Sequence, residues 1–151
     1  MKRPEQVIVT HRMNPPCSPV VELVVGDETS TQTRTAVVEL FKQLKRSPVV
    51  LAEVIPEYLI NRMNFALARE ALHPLERGIV GKEAIDTLFT DVFGPRYTLM
   101  EPVEMLDLFG HDTNVAISEY LFPPLRDDDE PSPPIGALVD RGDLGMKIGK
   151  G

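Results

Sequence analysis

The chain is short of several things, and each shortage narrows what it can be. It has one cysteine, Cys17, among 151 residues, so no internal disulfide framework exists, and the usage fits a reducing compartment. Tryptophan is absent and aromatic residues make up 6% of the chain. No apolar run approaches the roughly 20 residues that span a bilayer, and the opening MKRPEQVIVTHR lacks the apolar stretch of a secretory signal. Basic residues are outnumbered 16 to 23, a net charge of −7, which argues against a nucleic-acid partner needing a basic face. These absences lead us to expect a cytoplasmic globular protein that engages neither membrane nor nucleic acid.

What is present is unevenly distributed. Residues 1–55 carry a net charge of +1 and residues 56–151 a net of −8, which suggests a boundary near Pro56. Before it, strand and helix signals alternate. Gln6–Thr10 (QVIVT) reads as a buried strand, His11–Pro19 as a proline-rich loop, and Val20–Val25 as a second strand ended by Gly26-Asp27. Thr29 or Ser30 can cap a helix with Val37, Leu40, Phe41 and Leu44 on one face. Ser47-Pro48 stops it, and Val49–Ala52 resumes a strand. This order predicts the edge of an α/β sheet.

Beyond Pro56 the strand signals cease. Tyr58–Arg77 is a long helical pattern ending at Gly78, with Leu59, Ile60, Met63, Leu67, Leu72 and Leu75 on a stripe expected to be buried and Pro74 expected to break it. Helices are also predicted over Lys82–Phe93, Pro102–Phe109, Asp112–Leu121 and Ile135–Arg141, with Arg126–Pro134 as a solvated linker.

One short segment carries chemistry. His11-Arg-Met-Asn14-Pro15-Pro16 places a histidine in a proline-fixed loop at a strand end, a suitable place for acid–base work. Glu22, on the next strand, is the carboxylate available to hold the second ring nitrogen. Spacing alone leaves open that His11 is an ordinary loop histidine and Glu22 a surface residue. Asn14 is of the type that bonds nearby backbone and organises a loop. His73 and His111 show no ligand-like spacing to another His or Cys, so no metal role is assigned to them.

The motifs extend well beyond that loop. HxxNPP is followed by VELV, a helix, PVVL and Pro56-Glu-Tyr58-Leu-Ile-Asn61-Arg62. Further along come Glu70-Ala-Leu and Glu76-Arg-Gly78, then Gly94-Pro-Arg-Tyr97, Glu104-Met-Leu-Asp107-Leu-Phe-Gly110 and Gly145-Met-Lys-Ile-Gly-Lys-Gly151. In this order they resemble the 3-hydroxyacyl-CoA dehydrogenase family over essentially the whole chain. The Gly-x-Arg-Tyr stretch is nearer its lambda-crystallin and gulonate-dehydrogenase-like branch.

The resemblance implies an α+β fragment. Residues 1–55 would be the last strands and helix of a Rossmann-type NAD-binding domain, and 56–151 an all-helical, 6-phosphogluconate-dehydrogenase-C-terminal-like domain for dimerisation and substrate binding. It implies NAD-dependent oxidation of an L-3-hydroxyacyl-CoA, with His11 as general base, Glu22 as its charge partner and Asn61 as the anchor of the substrate oxygen. Asn14 would lie with Asn61 on the substrate side. The family's G-x-G-x-x-G turn occurs nowhere in the chain, so the cofactor-binding residues are unassigned and no NAD is expected on this chain alone. The expectation is therefore a truncated portion, inactive by itself, that forms a homodimer through its helices, with a separate NAD-binding chain as a candidate partner. A non-catalytic dimerisation module and a gulonate- or carnitine-type 3-hydroxy acid dehydrogenase are the alternatives. Glu57 and Glu101 stand where relatives carry glycine, Arg12 replaces an apolar residue or proline, and Pro74 replaces an apolar residue. The two glycine losses matter where the backbone needs φ > 0.

Overall fold

The computed structural model describes residues 2–13 and 18–150, so Asn14 and Cys17 lie outside the described residues. The chain forms two compact units, Met1–Phe65 and Ala66–Gly151.

The first unit is built on a three-stranded sheet in the order β1-β2-β3. The strands are β1 (Val9–Arg12), β2 (Val20–Val24) and β3 (Ser47–Leu51), and helix α1 (Thr31–Gln43) links β2 to β3. β1 runs antiparallel to β2, with His11 opposite Glu22 and Arg12 opposite Val21. β2 and β3 are parallel, with Glu22 beside Val49. The crossover explains the parallel pair, because two parallel strands cannot be joined by a tight turn. β2 is the centre of the sheet, and Val21, Leu23 and Val24 form the core of this unit with Leu51. An uninterrupted apolar run suits a strand covered on both faces. Glu22 interrupts that run and is the one buried charged residue among those described.

Three local expectations change. The strand expected to be buried over Gln6–Thr10 starts only at Val9, with Gln6 in a 3-10 turn and Val9 and Thr10 exposed. His11 does not sit in a loop: pairing with β2 extends the strand through Arg12, so the histidine is held on a ladder. Ser47-Pro48 also belongs to β3 rather than preceding it, with Pro48 opposite Val21. A proline is tolerated there because an edge strand has one side free of ladder bonds. The cap of α1 falls on Ser30, whose Oγ accepts the Thr33 N–H at 3.1 Å. Its other end closes with Arg46 N–H on Phe41 O and Lys45 N–H on Lys42 O, leaving Lys45 in the left-handed region at φ 54°.

Helix α2 (Tyr58–Glu76) begins in this unit and continues into the second. It passes through Pro74 rather than breaking there. The missing N–H falls in the last turn, and the helix ends as expected, with Ile79 N–H on Pro74 O and Gly78 at φ 65°. The second unit continues with α3 (Lys82–Leu88), a π-helical turn over Phe89–Phe93, and α4 (Gly94–Leu99). The expected helix over Lys82–Phe93 is thus prolonged by six residues. Then follow α5 (Pro102–Phe109), α6 (His111–Leu121) and α7 (Pro133–Asp140).

The stripe on α2 is not buried. Leu59, Met63 and Leu67 are all exposed, and no residue of that helix is fully covered. In the second unit only Met105 is buried among the described apolar residues, while Leu99, Val103, Leu108, Tyr120 and Phe122 are open to solvent. A 3.6-residue pattern specifies which face is apolar, but not what covers it.

Candidate active site

The cross-strand register brings together two residues that stand eleven apart in sequence. Directly opposed residues on an antiparallel pair project to the same face of the sheet. From there the His11 Nδ1 lies 2.7 Å from Glu22 Oε2. The glutamate side chain is fully buried and the histidine side chain 21% exposed. A buried carboxylate is costly unless its oxygens are bonded. Here both are: Oε1 accepts the backbone N–H of Ile60 at 3.0 Å. A carboxylate can only accept, so the proton of the His11–Glu22 bond belongs to Nδ1. That choice leaves Nε2 with its lone pair, and Nε2 makes no hydrogen bond to a described residue. A base whose second nitrogen is held by a carboxylate is the arrangement that lets an imidazole take a proton and keep the resulting charge stabilised.

Ile60 belongs to the first turn of α2, where backbone N–H groups have no intrahelical acceptor. Glu22 therefore serves this helix as a cap supplied from another strand. The turn that leads into α2 is tight. Glu57 and Tyr58 are consecutive non-glycine residues in the left-handed region, at φ 61° and 62°. This answers the question raised by the two missing glycines. Glu57 occupies a backbone conformation that favours glycine, whereas Glu101, at φ −65°, does not. The tight entry sets the Tyr58 ring on the face of His11, with centroids 4.2 Å apart and planes 7° from parallel.

Asn61, the third expected site residue, is half-buried in the first turn of α2, next to Ile60. Its side chain has no hydrogen bond to His11 or Glu22. Asn14 lies outside the described residues. Sequence reasoning missed Tyr58, whose only signal was an aromatic residue three positions before Asn61.

The other histidines are committed elsewhere. His73 Nδ1 lies 2.7 Å from Arg126 Nη1, and His111 Nε2 lies 3.2 Å from Asp107 on an exposed turn. Arg126 also meets Glu76 at 3.6 Å and pairs with Asp128. The guanidinium of Arg126 bonds Asp128 and holds its carboxyl below the usual range, despite an opposing effect of burial. At the start of α5, Glu101 bonds and repels the Glu104 carboxyl, raising it.

The 3-hydroxyacyl-CoA dehydrogenase C-terminal domain matches residues 58–151, and the NAD-binding domain of the same enzymes matches residues 1–54. The chain belongs to the 3-hydroxyacyl-CoA dehydrogenase family. It is 35% identical to a probable 3-hydroxybutyryl-CoA dehydrogenase of Deinococcus radiodurans, over 99% of this chain and 53% of that protein. It is 30% identical to 5-formyl-3-hydroxy-2-methylpyridine 4-carboxylate 5-dehydrogenase of Mesorhizobium japonicum, over 98% of this chain and 48% of that one. Rabbit (Oryctolagus cuniculus) lambda-crystallin is 36% identical over 69% of this chain and 33% of its own length. Among solved structures, the NAD+-dependent 5-formyl-3-hydroxy-2-methylpyridine 4-carboxylic acid 5-dehydrogenase superposes with a TM-score of 0.89 at 30% identity, covering 95% of this chain and 47% of that one. The (S)-3-hydroxybutyryl-CoA dehydrogenase of Ralstonia eutropha gives 0.69 at 31% identity, covering 99% and 52%. The chain thus spans about half the length of the curated relatives it matches over nearly its whole sequence.

The family is NAD-dependent, but the connection into α1 does not fit a dinucleotide phosphate. The chain has no G-x-G-x-x-G turn, and the loop after β2 carries Asp27 and Glu28 where an anion would need donors. Gly26 N–H, Thr29 Oγ1 and Ser30 N–H of that loop are also engaged. Thr29 Oγ1 donates to Val7 O and accepts the Gly26 N–H, and Ser30 N–H donates to Glu5 O.

Proposed function

We propose that the chain supplies the proton-transfer half of an NAD-dependent 3-hydroxyacyl-CoA dehydrogenase. The observation that carries this reading is the bond from His11 Nδ1–H to a fully buried Glu22 carboxylate, which turns Nε2 into a base. Oxidising a secondary alcohol removes a proton from oxygen and a hydride from carbon. His11 Nε2 takes the hydroxyl proton, and the imidazolium so formed is held by Glu22. Asn61, on the turn that Glu22 caps, donates its amide N–H to the substrate oxygen as that oxygen gains charge. The hydride acceptor is held by groups other than these residues in the assembled enzyme, and the isolated chain does not turn over.

The test is to assay NADH formation from an L-3-hydroxyacyl-CoA with this chain alone, and with a glycine-rich NAD-binding half of a relative added. Activity only in the mixture, lost with His11→Ala, supports the reading. Activity of the mixture that survives His11→Ala refutes the base. Calorimetric binding of NAD by the chain alone refutes the division of labour.

A second reading of the substrate is favoured by the TM-score of 0.89 to a dehydrogenase named for a pyridine carboxylate, against 0.69 for a 3-hydroxybutyryl-CoA dehydrogenase. In it, the same base serves a free carboxylic acid rather than an acyl-CoA, as in the carnitine- and gulonate-type alternatives. Running the mixture on acyl-CoA, L-carnitine, L-gulonate and the pyridine carboxylate separates these. The partner we propose for the helical unit is a second copy of the chain, because Leu99, Val103, Leu108, Tyr120 and Phe122 are all exposed in a unit with only Met105 buried among its described apolar residues. Light scattering that gives a dimer supports this, and a monomer at high concentration refutes it. A dimer that never restores activity with any NAD-binding half would instead favour the non-catalytic module.

A further inference from the structure

We propose that Tyr58 is a positioning residue for His11, fixing the plane of the imidazole so that Nε2 points in one direction. This rests on the reading of His11 as the base. A single hydrogen bond from Nδ1 to Glu22 fixes one edge of the ring but still allows it to swing about that bond. The Tyr58 ring removes this freedom, because it lies parallel to the imidazole at 4.2 Å, within 7°. Stacked contact with a half-buried aromatic resists rotation of the smaller ring in a way that one polar contact cannot.

The placement of Tyr58 is specific. It is the first residue of α2, two positions before the Ile60 N–H that binds the other oxygen of Glu22. One helical turn thus reaches the base twice, from above through Tyr58 and through its partner via Ile60. The same turn carries Asn61. The orientation of His11 is therefore keyed to the turn that bears the substrate anchor rather than only to its own strand. The φ of 62° at Tyr58 is what the chain adopts to set the ring there. The π face also attracts positive charge, so it does not oppose the imidazolium formed when Nε2 takes a proton.

The experiment compares Tyr58→Leu and Tyr58→Phe by proton and nitrogen NMR of the His11 ring, in the chain as it stands. In the unaltered protein and in Tyr58→Phe, the carbon-bound ring protons of His11 shift upfield through the ring current and the Nδ1–H exchanges slowly. In Tyr58→Leu those protons move to free-histidine positions and Nδ1–H exchange quickens, while the backbone spectrum of β1 and β2 is kept. In the assembled enzyme kcat falls by on the order of 10²-fold with KM unchanged, the scale of a misplaced reacting group, and phenylalanine restores it. Unchanged His11 signals in Tyr58→Leu overturn the proposal, as does a Tyr58→Phe variant that behaves like Tyr58→Leu, or a rise in KM alone. Failure of the base assignment reads differently: the NMR pattern holds, but His11→Ala retains activity.

Discussion

Replacing Glu22 by glutamine tests the site more sharply than deleting it. The carboxylate accepts two N–H groups, from Ile60 at 3.0 Å and from His11 at 2.7 Å, in a fully buried position. Glutamine keeps the shape but has one oxygen and one NH2 group. The Ile60 N–H is fixed by the helix, and leaving it unpaired would cost about 1–3 kcal/mol, so the amide oxygen turns toward it. The NH2 then faces Nδ1, which must give up its proton and accept. The imidazole therefore switches tautomer to Nε2–H. Both bonds survive in neutral form, and the difference between charge-assisted and neutral bonds puts the loss of stability at about 1–2 kcal/mol. Function suffers more, because a protonated Nε2 cannot act as a base. An inverted tautomer of this kind in a serine protease lowers kcat about 10⁴-fold. Denaturant unfolding measures the first effect, and long-range proton–nitrogen correlation of the His11 ring reads the tautomer directly. Retention of Nδ1–H in Glu22→Gln would refute the reasoning, because it would mean the buried carboxylate does not assign the proton.

The two glycine-deficient positions should separate: Glu57→Gly relieves a left-handed residue and raises stability by about 0.5–1 kcal/mol once the looser unfolded chain is allowed for. Glu101→Gly, at φ −65°, gives no gain in the same thermal melts. Lys45→Gly at the end of α1, at φ 54° with both closing hydrogen bonds intact, should gain a similar amount. Because Asp128 is held below its ordinary value by Arg126, their pairing stabilises the fold above the ordinary carboxylate range and fades as pH falls through the depressed folded value. Arg126→Ala should return the Asp128 carboxyl toward the ordinary range in an NMR titration, and an unmoved titration would remove Arg126 as the cause.

Local signals carried much of the architecture. Ser30 as a cap, Gly78 as a stop and the apolar run of β2 all act within a few residues, so they are legible wherever such residues occur. They failed where a neighbour in space decided the outcome. His11 reads as loop because three prolines and an asparagine follow it, yet pairing with β2 draws it onto the ladder. Pro48 looks like a boundary, but an edge strand accepts it. The stripe on α2 has the right period without the cover the pattern implies.

Taken alone, the sequence determined that the chain belongs with the 3-hydroxyacyl-CoA dehydrogenases and that strand signals cease before Pro56. It could nominate Glu22 as the partner of His11 from its place on the next strand, but eleven residues of separation fixes no distance. The tertiary structure made them partners, because antiparallel register sets one opposite the other on the same face and burial obliges the carboxylate to find donors. It also decided the part of Tyr58, whose stack on His11 depends on a left-handed entry into α2 that no periodicity encodes.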